Sequence, residues 1–284
     1  MHALVLTYHS HHIAGSDYAS NDHVALAVDL RVIARAGFRI VSLTALVDRF
    51  LAVQGGDAKV TEQEQVCALT FDDGPEYDAV DHHHPALGFQ PSFLRILQEF
   101  AESADGRHQT SVCATSFVIA SPEARRCMEA ATIPGTYYLH QGALNDDWWS
   151  HAIGSGKIAI ANHSWDHLHP ALARVAHSRQ AKGNFSEVDN LQDANMQIDA
   201  AARYIDLRTG GRASPFFAYP FGKYNPYLVE DYFPRHRSRH SVRAAFTVDG
   251  RPLHFLENRW ALPRYSCGFN WTTPHELAEL LDGA

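Results

Sequence analysis

Short apolar runs bounded by turn residues recur along this chain, and the segments between them carry apolar residues at helical spacing. The runs predict strands near residues 3–8, 39–43, 65–71, 112–119, 157–161, 215–219, 243–248 and 259–263. The helical patterns fall near 22–36, 91–104, 121–130, 186–207 and 273–282. Strand and helix alternate, which is the order that builds a parallel α/β sheet. In such sheets and barrels functional groups gather where strands end. The residues that follow each run therefore carry the most information.

One run ends abruptly in two carboxylates, Leu69-Thr70-Phe71 leading into Asp72-Asp73-Gly74-Pro75. Successive side chains on an extended strand point to opposite sides, so the two acids cannot share one task while strand geometry lasts. The turn at Gly74-Pro75 lets both reach one pocket from different angles, one to bind a cation and the other to handle a proton. Taken alone, Asp-Asp-Gly-Pro also reads as a surface turn in which one Asp caps a helix.

A second run, Lys157-Ile158-Ala159-Ile160-Ala161, leads into Asn162-His163-Ser164-Trp165-Asp166-His167. If His163 opens a helical turn, the four-residue spacing sets His163 and His167 on one face. Two imidazole nitrogens joined by one carboxylate form a three-ligand site with open positions, which suits a hydrolytic rather than a structural metal. In a chain with 19 histidines, His-x-x-x-His gains its weight from the strand-terminal Asp-Asp.

Together, Thr70-Phe71-Asp72-Asp73-Gly74-Pro75 and His163-Ser164-x-x-His167 resemble the first two motifs of the NodB-homology polysaccharide deacetylases, carbohydrate esterase family four. Ala114-Thr115-Ser116-Phe117-Val118 is similar to the strand between those motifs, and Phe217-Ala218-Tyr219-Pro220-Phe221-Gly222 to the third motif. Leu6-Thr7-Tyr8-His9, with the stretch Ala36 to Leu43, is similar to the start of many members. The resemblance implies a distorted (β/α) barrel of about seven parallel strands. It implies metal-dependent removal of N-acetyl groups from an amino-sugar-containing glycan, with Asp72 as general base and Asp73, His163 and His167 as metal ligands. The backbone N–H of Phe221 becomes the donor to the tetrahedral oxyanion. A bound divalent cation brings the pKa of water down to about 7, where a carboxylate can assist its attack. The mixed oxygen and nitrogen donors suit zinc and also accept cobalt, nickel or manganese.

Two departures from the family pattern stand out. The third motif usually opens with an arginine that orients the catalytic Asp, and this chain has Ala218 there; Arg264, in Leu262-Pro263-Arg264, is the candidate replacement. The late Leu-x-His, whose histidine protonates the leaving amine, is also missing. His9, at the end of the first strand, His254 and His275 are the candidates, each with an alternative reading as an ordinary surface or core histidine. Other readings stay open: an O-acetyl esterase or small amide or imide hydrolase on the same metal site, or a non-catalytic carbohydrate-binding protein.

Composition adds limits. A chain of 284 residues with 45% hydrophobic content can bury a full core, and no linker, repeat or low-complexity run divides it, so one domain over 1–284 is expected. The net charge of −8 and the lack of long basic clusters exclude the electrostatic footprint of a nucleic-acid binder. Arg235-His236-Arg237-Ser238-Arg239-His240 reads as a solvated basic loop. Four cysteines lack metal-type spacing, and Cys67 and Cys113 fall in predicted core strands as buried thiols. With no charged leader, signal-length apolar segment or membrane-length span, a cytoplasmic location is expected.

Two stretches look like insertions that set specificity. Residues 76–91 bring Asp78, Asp81, His82, His83 and His84 directly after the Asp-Asp turn, at the expected rim of the cleft, as either a solvent-facing loop or a second metal site. Residues 132–156 carry Tyr137, Tyr138, Trp148 and Trp149 beside Asp146 and Asp147. Their aromatic faces can stack on sugar rings or close a lid, or the Trp pair can pack into the core. Trp165 and Trp271 are further candidate cleft walls.

Overall fold

The computed structural model describes residues 2–58, 64–131 and 137–283. The apolar runs form β1 (His2–Tyr8), β2 (Arg39–Ile40) and β3 (Gln65–Phe71), followed by the antiparallel hairpin β4 (His82–His84) and β5 (Gly88–Gln90). They continue as β6 (Ala114–Val118), β7 (Ile158–Asn162), β8 (Phe216–Ala218), β9 (Ala244–Phe246) and β10 (Tyr265–Ser266). Seven strands run parallel in the order β10-β1-β3-β6-β7-β8-β9 and curl into a half-barrel, with β2 paired to the first half of β3. Parallel strands need cover on both faces, which is why these segments read as continuous apolar runs rather than alternating ones. The register sets Tyr8 opposite Phe71, Phe71 opposite Ser116 and Val118 opposite Asn162, so the C-terminal ends of β1, β3, β6 and β7 meet at one rim.

Side-chain caps start the helices that cover the sheet. Asn21 accepts from the His23 N–H at the start of α1 (Asp22–Arg35), and Ser42 from that of Ala45 at the start of α2 (Leu43–Gln54). Ser92 opens α3 (Phe93–Glu102), which buries Phe93, Leu94, Ile96, Leu97 and Phe100 along one face. Ser121 opens α4 (Pro122–Ala130), with Pro122 in the first turn where its missing N–H costs nothing.

Where the fold departs from the apolar pattern, the causes are local. The run 39–43 is extended only at Arg39–Ile40, because Ser42 already caps α2, a helix the pattern does not predict. The helix expected over 186–207 is broken into a 3-10 turn (Phe185–Glu187), a short helix (Leu191–Ala194), a π-helical stretch (Asn195–Asp199) and a helix at Ala200–Thr209. Asn184 and Asn190 accept backbone N–H groups at two of these starts, an alternative to continuous helix. The run 259–263 is not a strand. Leu262 forms a lone parallel bridge to Phe246, Pro263 has no N–H with which to extend it, and pairing resumes at β10 against β1. The basic stretch forms short helices rather than a loop; Arg235, Arg237 and Arg239 are exposed, as a solvated stretch should be, with Arg237 5.5 Å from the Trp260 ring centroid, whereas His240 is buried. Cys67 is buried as expected, whereas Cys113 is only half-buried, 3.2 Å from Ser111 Oγ. Among the described residues no helix is long and apolar enough to cross a membrane.

Beneath β1 the core encloses a carboxylate. Asp29 accepts from Tyr18 Oη at 2.5 Å, Tyr8 Oη at 3.0 Å and Trp271 Nε1 at 3.1 Å, so Trp271 belongs to the core and is not a cleft wall. Burial pushes the Asp29 carboxyl up to about 7, although the three donors pull the other way. An unfolded Asp titrates near ~3.9, so between roughly pH 4 and 7 the folded chain keeps a proton that the unfolded chain has released. This group's contribution to stability therefore falls as pH rises through that window. We expect the decline in urea-unfolding free energy across it to be smaller in Asp29→Asn than in the wild type; parallel pH dependences would contradict the assignment.

Candidate functional site

Past Phe71 the strand ladder continues for one bond, Asp72 N–H to Tyr8 O at 3.1 Å, and then the chain leaves the sheet. Asp73 and Gly74 take left-handed φ of 71° and 69°. A Cβ at Gly74 would lie 2.5 Å from Val118 Cγ1, so the turn needs glycine for space as well as conformation. The turn swings Asp73 away from Asp72, and the adjacent carboxylates enter one cleft by separate routes.

Asp72 meets Arg264. The guanidinium, fully buried, grips both carboxylate oxygens, Nη1 to Oδ1 at 2.7 Å and Nη2 to Oδ2 at 2.8 Å. Nη1 also donates to the hydroxyls of Thr7 and Thr70 at 3.2 and 3.1 Å, and Nε donates to Thr247 O at 3.0 Å. Burial pushes the Asp72 carboxyl up, but Arg264, followed by His163, outweighs it and holds the group down at about 2. Asp72 is therefore ionised at neutral pH, and Arg264 stands where the sequence placed the substitute for the motif arginine.

The Ala218 carbonyl at that motif position has its own task. It lies 2.9 Å from His163 Nδ1 and, being only an acceptor, fixes the proton there and leaves the Nε2 lone pair toward Asp73. His167 arrives differently from the expected helical turn. Ser164, His167 and Leu168 all have positive φ, and the loop is closed by Asn162 Oδ1 accepting from Ser164 N–H and Ser164 Oγ accepting from His167 N–H. This loop, rather than helical periodicity, brings the two rings to 4.9 Å between centroids.

Asp73 Oδ1 lies 3.6 Å from His163 Nε2 and 3.4 Å from His167 Nε2. Among the described residues these three form the only group of metal-type ligands, all within 4.8 Å of one another. Asp73 Oδ1 is buried without a hydrogen-bond partner, a cost that a cation removes. Burial raises Asp73, but His167, His11 and His163 outweigh it and hold the carboxyl well below the usual range. Burial lowers His167 to about 3, partly opposed by Asp73, so its imidazole is neutral, as a metal ligand must be. The donor set fits a divalent cation.

The triad and Asp72 open into a cleft of about 490 Å³ whose walls include His9, His11, Tyr137, Leu139, Phe221 and Phe269. Phe221 has φ of 58° and sets its ring 4.3 Å from that of His167. His9 lies in the cleft, whereas His254 and His275 do not; both are exposed, His275 beside Glu279 on the last helix. Tyr137 is a wall, but Trp148 and Trp149 are buried in the core and Trp165 packs edge-on against Tyr204. Residues 132–136 of that stretch lie outside the described residues. No side chain of 76–91 lines the cleft, and His82 stacks on Tyr77 at 3.7 Å instead of joining a second metal site. The sequence reading missed His11, His169 and the role of Asp78, which is fully buried and accepts from Ser10 Oγ at 2.5 Å and Ser116 Oγ at 2.6 Å. A second histidine two residues past His9, in the same turn after the first strand, was the available signal for His11.

The family model described as polysaccharide deacetylase matches residues 59–232. The chain belongs to the polysaccharide deacetylase family. Membership makes it a hydrolase of the glycan-deacetylating kind. Among curated proteins none matches. The fold is shared with the Streptococcus pyogenes deacetylase PplD in complex with acetate, at 15% identity over 99% of this chain and 98% of that one with a TM-score of 0.59. IcaB from Ammonifex degensii shares it at 17% identity over 99% and 97%, TM-score 0.60. A de-N-acetylase from Aggregatibacter actinomycetemcomitans does so at 12% identity over 98% and 100%, TM-score 0.56.

Removing one partner of a buried ion pair typically costs about 3–5 kcal/mol. Chemical unfolding of Arg264→Met should show a loss of that size, whereas a loss under about 1 kcal/mol would mean that Asp72 does not depend on this cation.

Proposed function

We propose that this chain is a metal-dependent hydrolase that removes N-acetyl groups from an amino-sugar-containing glycan. The observation that carries the reading is the split between two adjacent carboxylates in one cleft, Asp72 held ionised by Arg264 and Asp73 turned with an unpartnered oxygen toward two imidazoles. Family membership supports deacetylation.

Asp73, His163 and His167 would hold the cation, which when bound polarises an acyl oxygen and lowers the pKa of water. Asp72 accepts the proton of the attacking water, its carboxylate aimed by the two-point grip of Arg264. His9, in the same cleft, is the group we assign to deliver a proton to the leaving amine. The Phe221 N–H donates to the oxyanion as charge develops. A second reading, hydrolysis of an O-acetyl ester by the same groups, is favoured by the missing late Leu-x-His, because an alkoxide leaves with less need of a proton than an amine does.

Acetate release from chitooligosaccharides and from an aryl acetate, after adding zinc, cobalt, manganese or nickel to metal-free protein, tests both readings. Asp72→Asn should keep the metal and lose about 10²–10⁴-fold in turnover, while His167→Ala should lose metal and turnover together. Loss of metal from Asp72→Asn would overturn the division of roles, and glycan binding without release from either substrate would overturn both enzyme readings.

A further inference from the structure

Asp73 has two oxygens with different surroundings. Oδ1 faces the two ligand imidazoles, and Oδ2 lies 3.6 Å from His11 Nε2. His11 lines the same cleft but falls outside the compact ligand group, which comprises Asp73, His163 and His167, and it meets the carboxylate at the other oxygen. We propose that His11 is a positioning residue for Asp73, donating from Nε2–H to Oδ2 so that Oδ1 stays turned toward His163 and His167. This role presupposes the metal-binding reading above.

The tautomer follows from burial. His11 Nδ1 is buried and has no hydrogen-bond partner. An orphaned N–H is the rarer and costlier defect, so the hydrogen belongs on Nε2, where a carboxylate oxygen waits. An imidazolium would donate from the same atom, so the geometry holds for either charge state. At 3.6 Å the pair is within ion-pair range and longer than a hydrogen bond.

The loop that presents His11 is fixed on every side. His9 N–H donates to Asp22 Oδ2 at 2.7 Å, and His12 Nδ1 lies 2.7 Å from Asp22 Oδ1. Ser10 Oγ donates to the buried Asp78, and Ser10 O lies 2.7 Å from His23 Nε2. The His11 carbonyl accepts from Tyr138 N–H at 2.8 Å, and the ring meets that of Tyr137 edge-on at 5.7 Å. Three buried side chains, Asp22, His23 and Asp78, thus hold the turn that carries His9 and His11 into the cleft, and of the two it is His11 that reaches Asp73 Oδ2. Groups that orient a metal ligand typically change metal affinity by about 10–100-fold when removed.

The test is the dissociation constant for Zn²⁺, measured on metal-free protein by competition with a chelator. His11→Phe keeps a ring against Tyr137 but has no donor, and His11→Gln places an amide N–H near the position of Nε2. His11→Met, of similar reach to Gln and without a donor, gives the same comparison if the Phe ring disturbs the loop. We expect about 10–100-fold weaker zinc binding for Phe and Met, with Gln within about threefold of the wild type. Wild-type affinity in Phe and Met, or Gln as weak as they are, would overturn the role. A raised KM with unchanged zinc affinity would assign His11 to substrate instead. If the wild type itself bound no Zn²⁺, the metal-binding reading would fall first and this role with it.

Discussion

The buried ion pair between Asp72 and Arg264 is the constraint on which the rest of the site depends. Burying two charges is costly, and a pair persists only where geometry and further hydrogen bonds offset the loss of water. Here the guanidinium binds both oxygens, and its remaining donors reach Thr7 in β1, Thr70 in β3 and the carbonyl of Thr247 just past β9. Phe117 of β6 lies under its plane at 5.2 Å. One side chain thus gathers four strand ends at the rim where the motifs emerge. The pair fixes where Asp72 points and keeps it charged, and it joins the late part of the chain to the first motif.

Against that fixed point, the neighbouring residue can do something different. The left-handed turn at Asp73 and Gly74 separates two carboxylates that chain connectivity would otherwise hold in opposed orientations on one strand. Asp72 faces a permanent cation, whereas Asp73 faces imidazoles and has an unpartnered oxygen. Identical side chains thereby acquire separate chemistry from their surroundings alone.

Much of this was legible in the sequence, because strand-terminal motifs are local signals. Asp72, Asp73, His163 and His167 could be picked out from apolar runs that stop at polar residues, and the parallel α/β sheet followed from the alternation of elements, its barrel form only from the family resemblance. His167 reached the right place by an unexpected route, since left-handed Ser164 replaces the helical turn. Arg264 was the candidate for a gap, since Ala218 stands at the usual arginine position of the resembled family, and the structure sets it against Asp72. That pairing spans 192 residues, so spacing could not have confirmed it. His11 and Asp78 were missed because their partners come from elsewhere in the chain. Trp271 was misread because its indole N–H is satisfied by Asp29, 242 residues away. The strand expected at 259–263 failed at Pro263, where the ladder loses its donor and pairing shifts to Tyr265.

The central claim is that Arg264 acts through Asp72. A double-mutant cycle on turnover tests it directly, comparing Asp72→Asn, Arg264→Met and the double variant in acetate release. Residues that work as one unit lose activity together, so the double variant should be about as impaired as the worse single one. Losses that multiply would show that Arg264 supports the reaction independently of Asp72, and would contradict the account.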